Sequence, residues 1–94
     1  MALDEPLALS DALRLARSIV LTGSVLFTKH CREQMVARGI DANDCINTVP
    51  GGQGELFDFR AGTYRYQICT NRFGVAVAFY DETEMVFVTC WRKK

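Results

Sequence analysis

The sequence predicts an α+β fold in which N-terminal helices pack on one face of a four-stranded antiparallel meander sheet. Three observations point to it. Apolar residues recur at helical spacing through the first half, the period changes to two from Glu55 onward, and the later apolar runs are joined by short polar turns. Short turns make consecutive strands antiparallel neighbours. Helices that precede such a meander must bury their apolar stripes on it.

Ser10 is positioned to cap a first helix, with Leu9, Ala12, Leu13, Ala16, Ile19 and Val20 along one face and Gly23 as a left-handed stop. Val25-Leu26-Phe27 fits a short strand or an extended link. Thr28 caps a second helix over residues 29–38, which Gly39 ends. Asp41 caps a third, where Asp44 favours the positive end of the helix dipole. Cys45, Ile46 and Val49 are its expected buried residues, and Pro50-Gly51-Gly52 breaks it. The strands follow. The first runs from Leu56 to Arg60, and Ala61-Gly62 turns the chain. Tyr64 to Thr70 alternates two tyrosines and an isoleucine against polar residues. Phe73 to Tyr80 is nearly all apolar and reads as a central strand covered on both faces. Met85 to Trp91 is the last.

Composition limits the functional classes. The chain has 94 residues, 49% of them hydrophobic and 23% charged, which suits one globular domain rather than a disordered segment. The expected organisation is a single domain over 1–94: an additional helix in 1–24, the main body in 25–91 and a basic tail in 92–94. No apolar run reaches the roughly 18–20 residues of a membrane span. Asp4 and Glu5 precede any basic residue, unlike a secretory signal, so the expected location is the cytoplasm. Eleven basic residues balance eleven acidic ones, which argues against indiscriminate polyanion binding. The balance is uneven along the chain: five Lys/Arg against eight Asp/Glu in residues 1–59, six against three in residues 60–94. Four cysteines at 31, 45, 69 and 90 form no CxxC pair, so a zinc knuckle is not expected and no cofactor or metal is assigned. Each sits in or beside an apolar pattern and reads as a small core hydrophobe in a reducing compartment.

His30 is the only histidine. Lys29, Arg32 and the helix N-terminus all disfavour its imidazolium, and a neutral imidazole there could act as a general base. Gln34 and Arg38 share its face at i+4 and i+8. A guanidinium such as that of Arg38 can hold two phosphate oxygens at once, although a cation before the C-cap also suits the helix dipole. Arg60, Tyr64, Arg65 and Tyr66 interleave cations with aromatic rings, the mixture that single-stranded nucleic acid requires. In a strand, however, the tyrosines point one way and Arg65 the other. Either the tyrosines pack under the helices and Arg65 is exposed, or the reverse. Trp91 is a further stacking candidate, or else closes the edge of the core. No dinucleotide-binding or Walker glycine loop is present.

The segment Phe27 to Ile40, with Thr28, His30, Met35, Arg38, Gly39 and Ile40, and the final Val88-Thr89-Cys90-Trp91, resembles a family of small bacterial domains of unknown function. That family is similar in architecture to the RelE-like (barnase–EndoU–colicin–RelE) toxins of toxin–antitoxin systems. The resemblance spans roughly residues 25–91. It implies metal-independent RNA cleavage: a base takes the ribose 2′-hydroxyl proton and the oxygen attacks the adjacent phosphorus. Carried over, His30 would be the acid/base, Arg38 the phosphate contact, and Thr89 or Trp91 a substrate contact. It also implies a zinc-ribbon antitoxin as partner. Gln34 stands where the family tends to have arginine, and Trp91 replaces an aromatic hydroxyl. The helix in 1–24 lies outside the resemblance and would either cover the sheet or mediate a homodimer. Two functions are therefore expected to compete: an RNA-cleaving toxin, and a non-catalytic module that uses the same groove to hold RNA or a protein. The first requires His30, Arg38 and one sheet cation or tyrosine around an open concave surface, within reach of one phosphate.

Overall fold

A computed structural model describes residues 3–93. The elements are α1 (Leu9–Thr22), β1 (Ser24–Phe27), α2 (Lys29–Arg38), α3 (Ala42–Gly51), β2 (Gln53–Arg60), β3 (Thr63–Cys69), β4 (Phe73–Phe79) and β5 (Glu84–Arg92). The α+β class holds, and β2 to β5 form an antiparallel meander. The sheet nonetheless has five strands rather than four and is mixed, in the order β1-β5-β4-β3-β2. The extra strand is Val25-Leu26-Phe27 with Ser24, which pairs in parallel with Glu84 to Phe87. Its partner lies 60 residues further along the chain, beyond the reach of a local pattern.

Local chemistry explains two of the helices. The Thr28 hydroxyl accepts from the Cys31 amide at 3.0 Å, and Gly39 closes α2 in the left-handed region at φ 66°. Asp41 and Asp44 form a reciprocal capping box at the start of α3, with N···O distances of 2.7 and 3.1 Å. Pro50 lies inside the last turn of α3, so the helix runs on to Gly51 instead of breaking before it.

The entry to α1 departs from expectation. The cap position is Ala8, with no side-chain cap, and Ser10 lies inside the helix. Tertiary bonds orient the entering chain instead: the Leu7 amide donates to the Tyr66 hydroxyl at 3.0 Å, which donates to Glu5 at 2.8 Å. Gly23 is extended, not left-handed, at φ −103°. Glycine is needed there because a Cβ would collide with the Thr83 carbonyl oxygen.

One cluster of buried side chains joins all three helices to the sheet. Ala12, Ala16 and Ile19 come from α1, Cys31 from α2, and Cys45 and Val49 from α3. They meet Tyr66, Ile68, Val75, Val77, Phe79, Met85, Phe87 and Cys90 from the strands. The helix at the N-terminus therefore covers the sheet. Two arginines close helix C-termini across the fold. Arg17 donates to Gly52 O at 3.0 Å beyond α3, and Arg92 donates to Arg38 O and Gly39 O, both at 2.8 Å. Arg92, at the start of the expected basic tail, is exposed and ends β5, and Lys94 of that tail lies outside the described residues. Among the described residues, no helix is long and apolar enough to cross a membrane.

β4 is flanked by β3 and β5, as a central strand should be. It is not covered by helices on both faces. Val75, Val77 and Phe79 point into the helical cluster, whereas Gly74, Ala76 and Ala78 occupy the opposite face and take no part in it.

Candidate functional site: the open face of the sheet

Strand alternation and register define the second face. Gly74 pairs with Trp91, Ala76 with Thr89 and Ala78 with Val86, while Gln67 pairs with Ala76 on the other side. Arg65 and Gln67 on β3 and Asp58 and Arg60 on β2 share this face by the same alternation and pairing. The three small residues of β4 make a floor, and the longer side chains of β3 and β5 rise beside it. Ala76 and Ala78 are only 5% and 3% exposed, although no helix lies over them, because these flanking side chains shield them. The result is a trough along β4.

Part of the trough is a small cleft of about 70 Å³ lined by Asp58, Arg60, Arg65, Gln67, Ala76 and Thr89. A larger one, about 580 Å³, wraps the end of the sheet at the Ala61-Gly62 turn and includes Arg65, Ala78, Val86 and Val88 as well as Tyr64 and Phe79. A register irregularity between Ala76 and Val77 puts Val88 opposite no partner, which bends β5 where the trough is bordered by Thr89.

Trp91 is held by the absence of a side chain. A Cβ on Gly74 would run into three atoms of the indole at once, so the ring lies flat over the glycine. One aromatic face is thereby packed on backbone, and the residue as a whole is half-buried.

The cations of this face differ. Arg60 pairs with Asp58 at 3.5 Å, and Lys93 with Glu55 at 3.3 Å. Arg65, cross-strand from Asp58, has no such partner among the described residues. Its Nε is buried and lacks a hydrogen-bond acceptor among the described residues.

The structure brings Arg60, Arg65, Thr89 and Trp91 to one face and separates them from the tyrosines. Tyr66 is fully buried under the helices, and burial pushes its phenol up to about 12. Tyr64 is half-buried on that same side, its ring 4.6 Å from that of Phe59.

His30, Gln34 and Arg38 lie on α2, which runs beside β5 beyond the end of β1. The Thr28 amide donates to Phe87 O at 3.1 Å and its hydroxyl to Val88 O at 2.8 Å. His30 and Arg38 are exposed, and the Arg38 guanidinium is tied to Gln34 at 2.8 Å. The cleft lined by Arg60, Arg65 and Thr89 includes none of the three.

Sequence spacing missed a further group. Cys31, Cys45 and Cys90 come from α2, α3 and β5, yet their sulfurs all lie within 4.8 Å of one another in the core. All four cysteines are free and buried. A hydrogen bond with Cys31 and burial hold the Cys45 thiol far above its ordinary range, and burial pushes Cys90 up to about 11. Cys69 faces the other side of the sheet, and burial raises it too. Nothing in spacings of 14 and 45 residues announces this convergence.

Comparison of the chain with protein-family models, with curated proteins and with solved structures found no match.

Proposed function

We propose that this protein is a non-catalytic module that binds single-stranded RNA in the trough along β4. The observation that carries the proposal is Arg65, which lines the trough and forms no ion pair among the described residues. A phosphate that meets the outer nitrogens of this guanidinium gains a charged partner, and the planar fork can hold two of its oxygens. Trp91, half-buried on the same face, adds an aromatic ring on which a base can stack. Thr89 and Gln67 add neutral donors and acceptors that can read base edges or the ribose hydroxyl. Arg60, paired with Asp58, contributes less net charge than its position suggests.

A duplex would not use these groups in the same way, because its bases are stacked and hidden. The test is binding of labelled oligoribonucleotides, single-stranded and duplex, followed by fluorescence anisotropy. Single-stranded RNA should bind more tightly, and its affinity should fall as salt rises. Arg65→Ala and Trp91→Ala should each weaken it about tenfold. Equal affinity for duplex, or affinity that neither substitution alters, contradicts the proposal.

The toxin reading has one observation in its favour: α2 is hydrogen-bonded to β5 at Val88, next to Thr89, so His30 and Arg38 flank the same strand. It requires the purified protein to cleave the RNA it binds, leaving a 2′,3′-cyclic phosphate, and His30→Ala to slow that cleavage by roughly 10²-fold. Binding with intact RNA across pH 5 to 9 supports the module instead.

A further inference from the structure

The three-thiol cluster invites a different kind of ligand. Cys31 and Cys45 are fully buried, and Cys90 is 2% exposed. Their sulfurs lie within 4.8 Å of one another. A three-coordinate centre with bonds to sulfur of about 2.3 Å needs sulfurs roughly 4 Å apart or closer, a contraction that side-chain rotation can supply.

Charge decides which centre fits. A monovalent or divalent cation bound to three thiolates leaves net negative charge in an apolar core, and burial of uncompensated charge is costly. The nearby charged groups do not offset it together, since Asp44 and Arg38 act on Cys45 and Cys90 with opposite signs. Burial also favours the protonated thiols of Cys45 and Cys90, which penalises any ligand that must displace free protons. Zinc further prefers a fourth ligand, and the convergent group contains three.

We infer that Cys31, Cys45 and Cys90 form a binding site for a trivalent, thiophilic, three-coordinate centre, arsenic(III) or antimony(III), held as a neutral tris-thiolate. With arsenite the step balances without oxidant or free proton: one As(OH)₃ and three S–H groups give one As(SR)₃ and three waters. Three As–O bonds break, three As–S bonds form, and each thiol proton leaves in a water molecule. The product carries no charge into the core and needs no fourth ligand. Entry requires local opening of α2 or α3 from β5, so uptake is slow and follows the exchange of the amides that cover the cluster.

The test uses the full chain, reduced and free of oxygen, incubated with sodium arsenite. Native mass spectrometry should show one adduct heavier by one arsenic less three hydrogens. X-ray absorption at the arsenic edge should show three sulfur neighbours and no oxygen. The melting temperature should rise with arsenite concentration, as for any ligand that binds the folded state. Cys69→Ala should take up arsenic as the wild type does, and Cys45→Ala should lose the three-sulfur signature. Should Cys45→Ala fail to fold, the absorption spectrum of the wild type still decides. No adduct, an oxygen neighbour, undiminished three-sulfur uptake by folded Cys45→Ala, or binding of zinc or copper(I) in preference to arsenite would overturn the assignment.

Discussion

The two faces of β4 are built from the same strand and behave as different materials. One carries Val75, Val77 and Phe79 into a cluster fed by all three helices. The other carries Gly74, Ala76 and Ala78 beneath polar and aromatic neighbours. On the first face bulk fills space, and interior packing stabilises the fold. On the second, small residues leave space, and the neighbours keep donors and an aromatic ring available. Burial alone therefore does not mark a core: Ala76 and Ala78 are almost as inaccessible as Val77, yet they floor a surface.

Substitutions on the two faces should separate these roles. The largest effect is expected for Val77→Asp. Val77 is fully buried in the helical cluster, and an unpaired carboxylate there should cost about 3–5 kcal/mol or prevent folding, read by urea denaturation. Ala78→Asp on the open face should cost far less, since its side chain meets the trough. Equal losses would erase the distinction between the faces.

High pH should weaken the helical side through Tyr66. The phenol of Tyr66 is raised from 10.0 to about 12, first by burial. The folded state therefore favours the neutral form, and the stability this contributes is complete below pH 10. It should decline as pH rises through 10 toward 12, in a denaturation series, and Tyr66→Phe should flatten that decline. Tyr66→Phe also removes the bonds to Leu7 and Glu5, so its stability near neutral pH should be lower by about 1 kcal/mol.

Gly74→Val sharpens the comparison from the open side. The added side chain must displace the indole of Trp91, so RNA affinity should fall about as far as in Trp91→Ala, with a stability loss near 1 kcal/mol. Arg92→Ala is the smallest expected effect, about 1 kcal/mol or less. It frees the carbonyls of Arg38 and Gly39 at an exposed helix end and should leave RNA affinity unchanged.

What was legible in the sequence was local. Thr28 and Gly39 bracket α2, and Asp41 and Asp44 open α3, because a cap depends on residues within one turn. The meander was legible through its period and turns. The parallel partner of β1 was not, since three apolar residues carry no information about a strand 60 positions away. The constraint on Gly23 is not a helix stop but the carbonyl of Thr83, a tertiary contact that local sequence does not carry. The open face was written in the chain as the alternation Gly74, Ala76, Ala78 against Val75, Val77, Phe79, but hydrophobicity hides it and only side-chain size reveals it. Arg65, Thr89 and Trp91 were singled out by type. Their separation from Tyr64 and Tyr66 follows from strand parity, and which parity faces the helices was decided by packing. His30 and Arg38 were read from helix spacing, and their exposure follows from that spacing. Their relation to the sheet depends on where α2 docks, which no pattern within the helix encodes.

The protein has a built-in reporter for the open face, because Trp91 is its only tryptophan. The most direct measurement is a titration of its fluorescence with a single-stranded oligoribonucleotide at low salt. Saturable quenching is expected that weakens as salt rises, weakens again in Arg65→Ala, and survives in Arg92→Ala. Fluorescence that single-stranded RNA leaves unchanged, or quenching that persists undiminished in Arg65→Ala, would contradict the proposal.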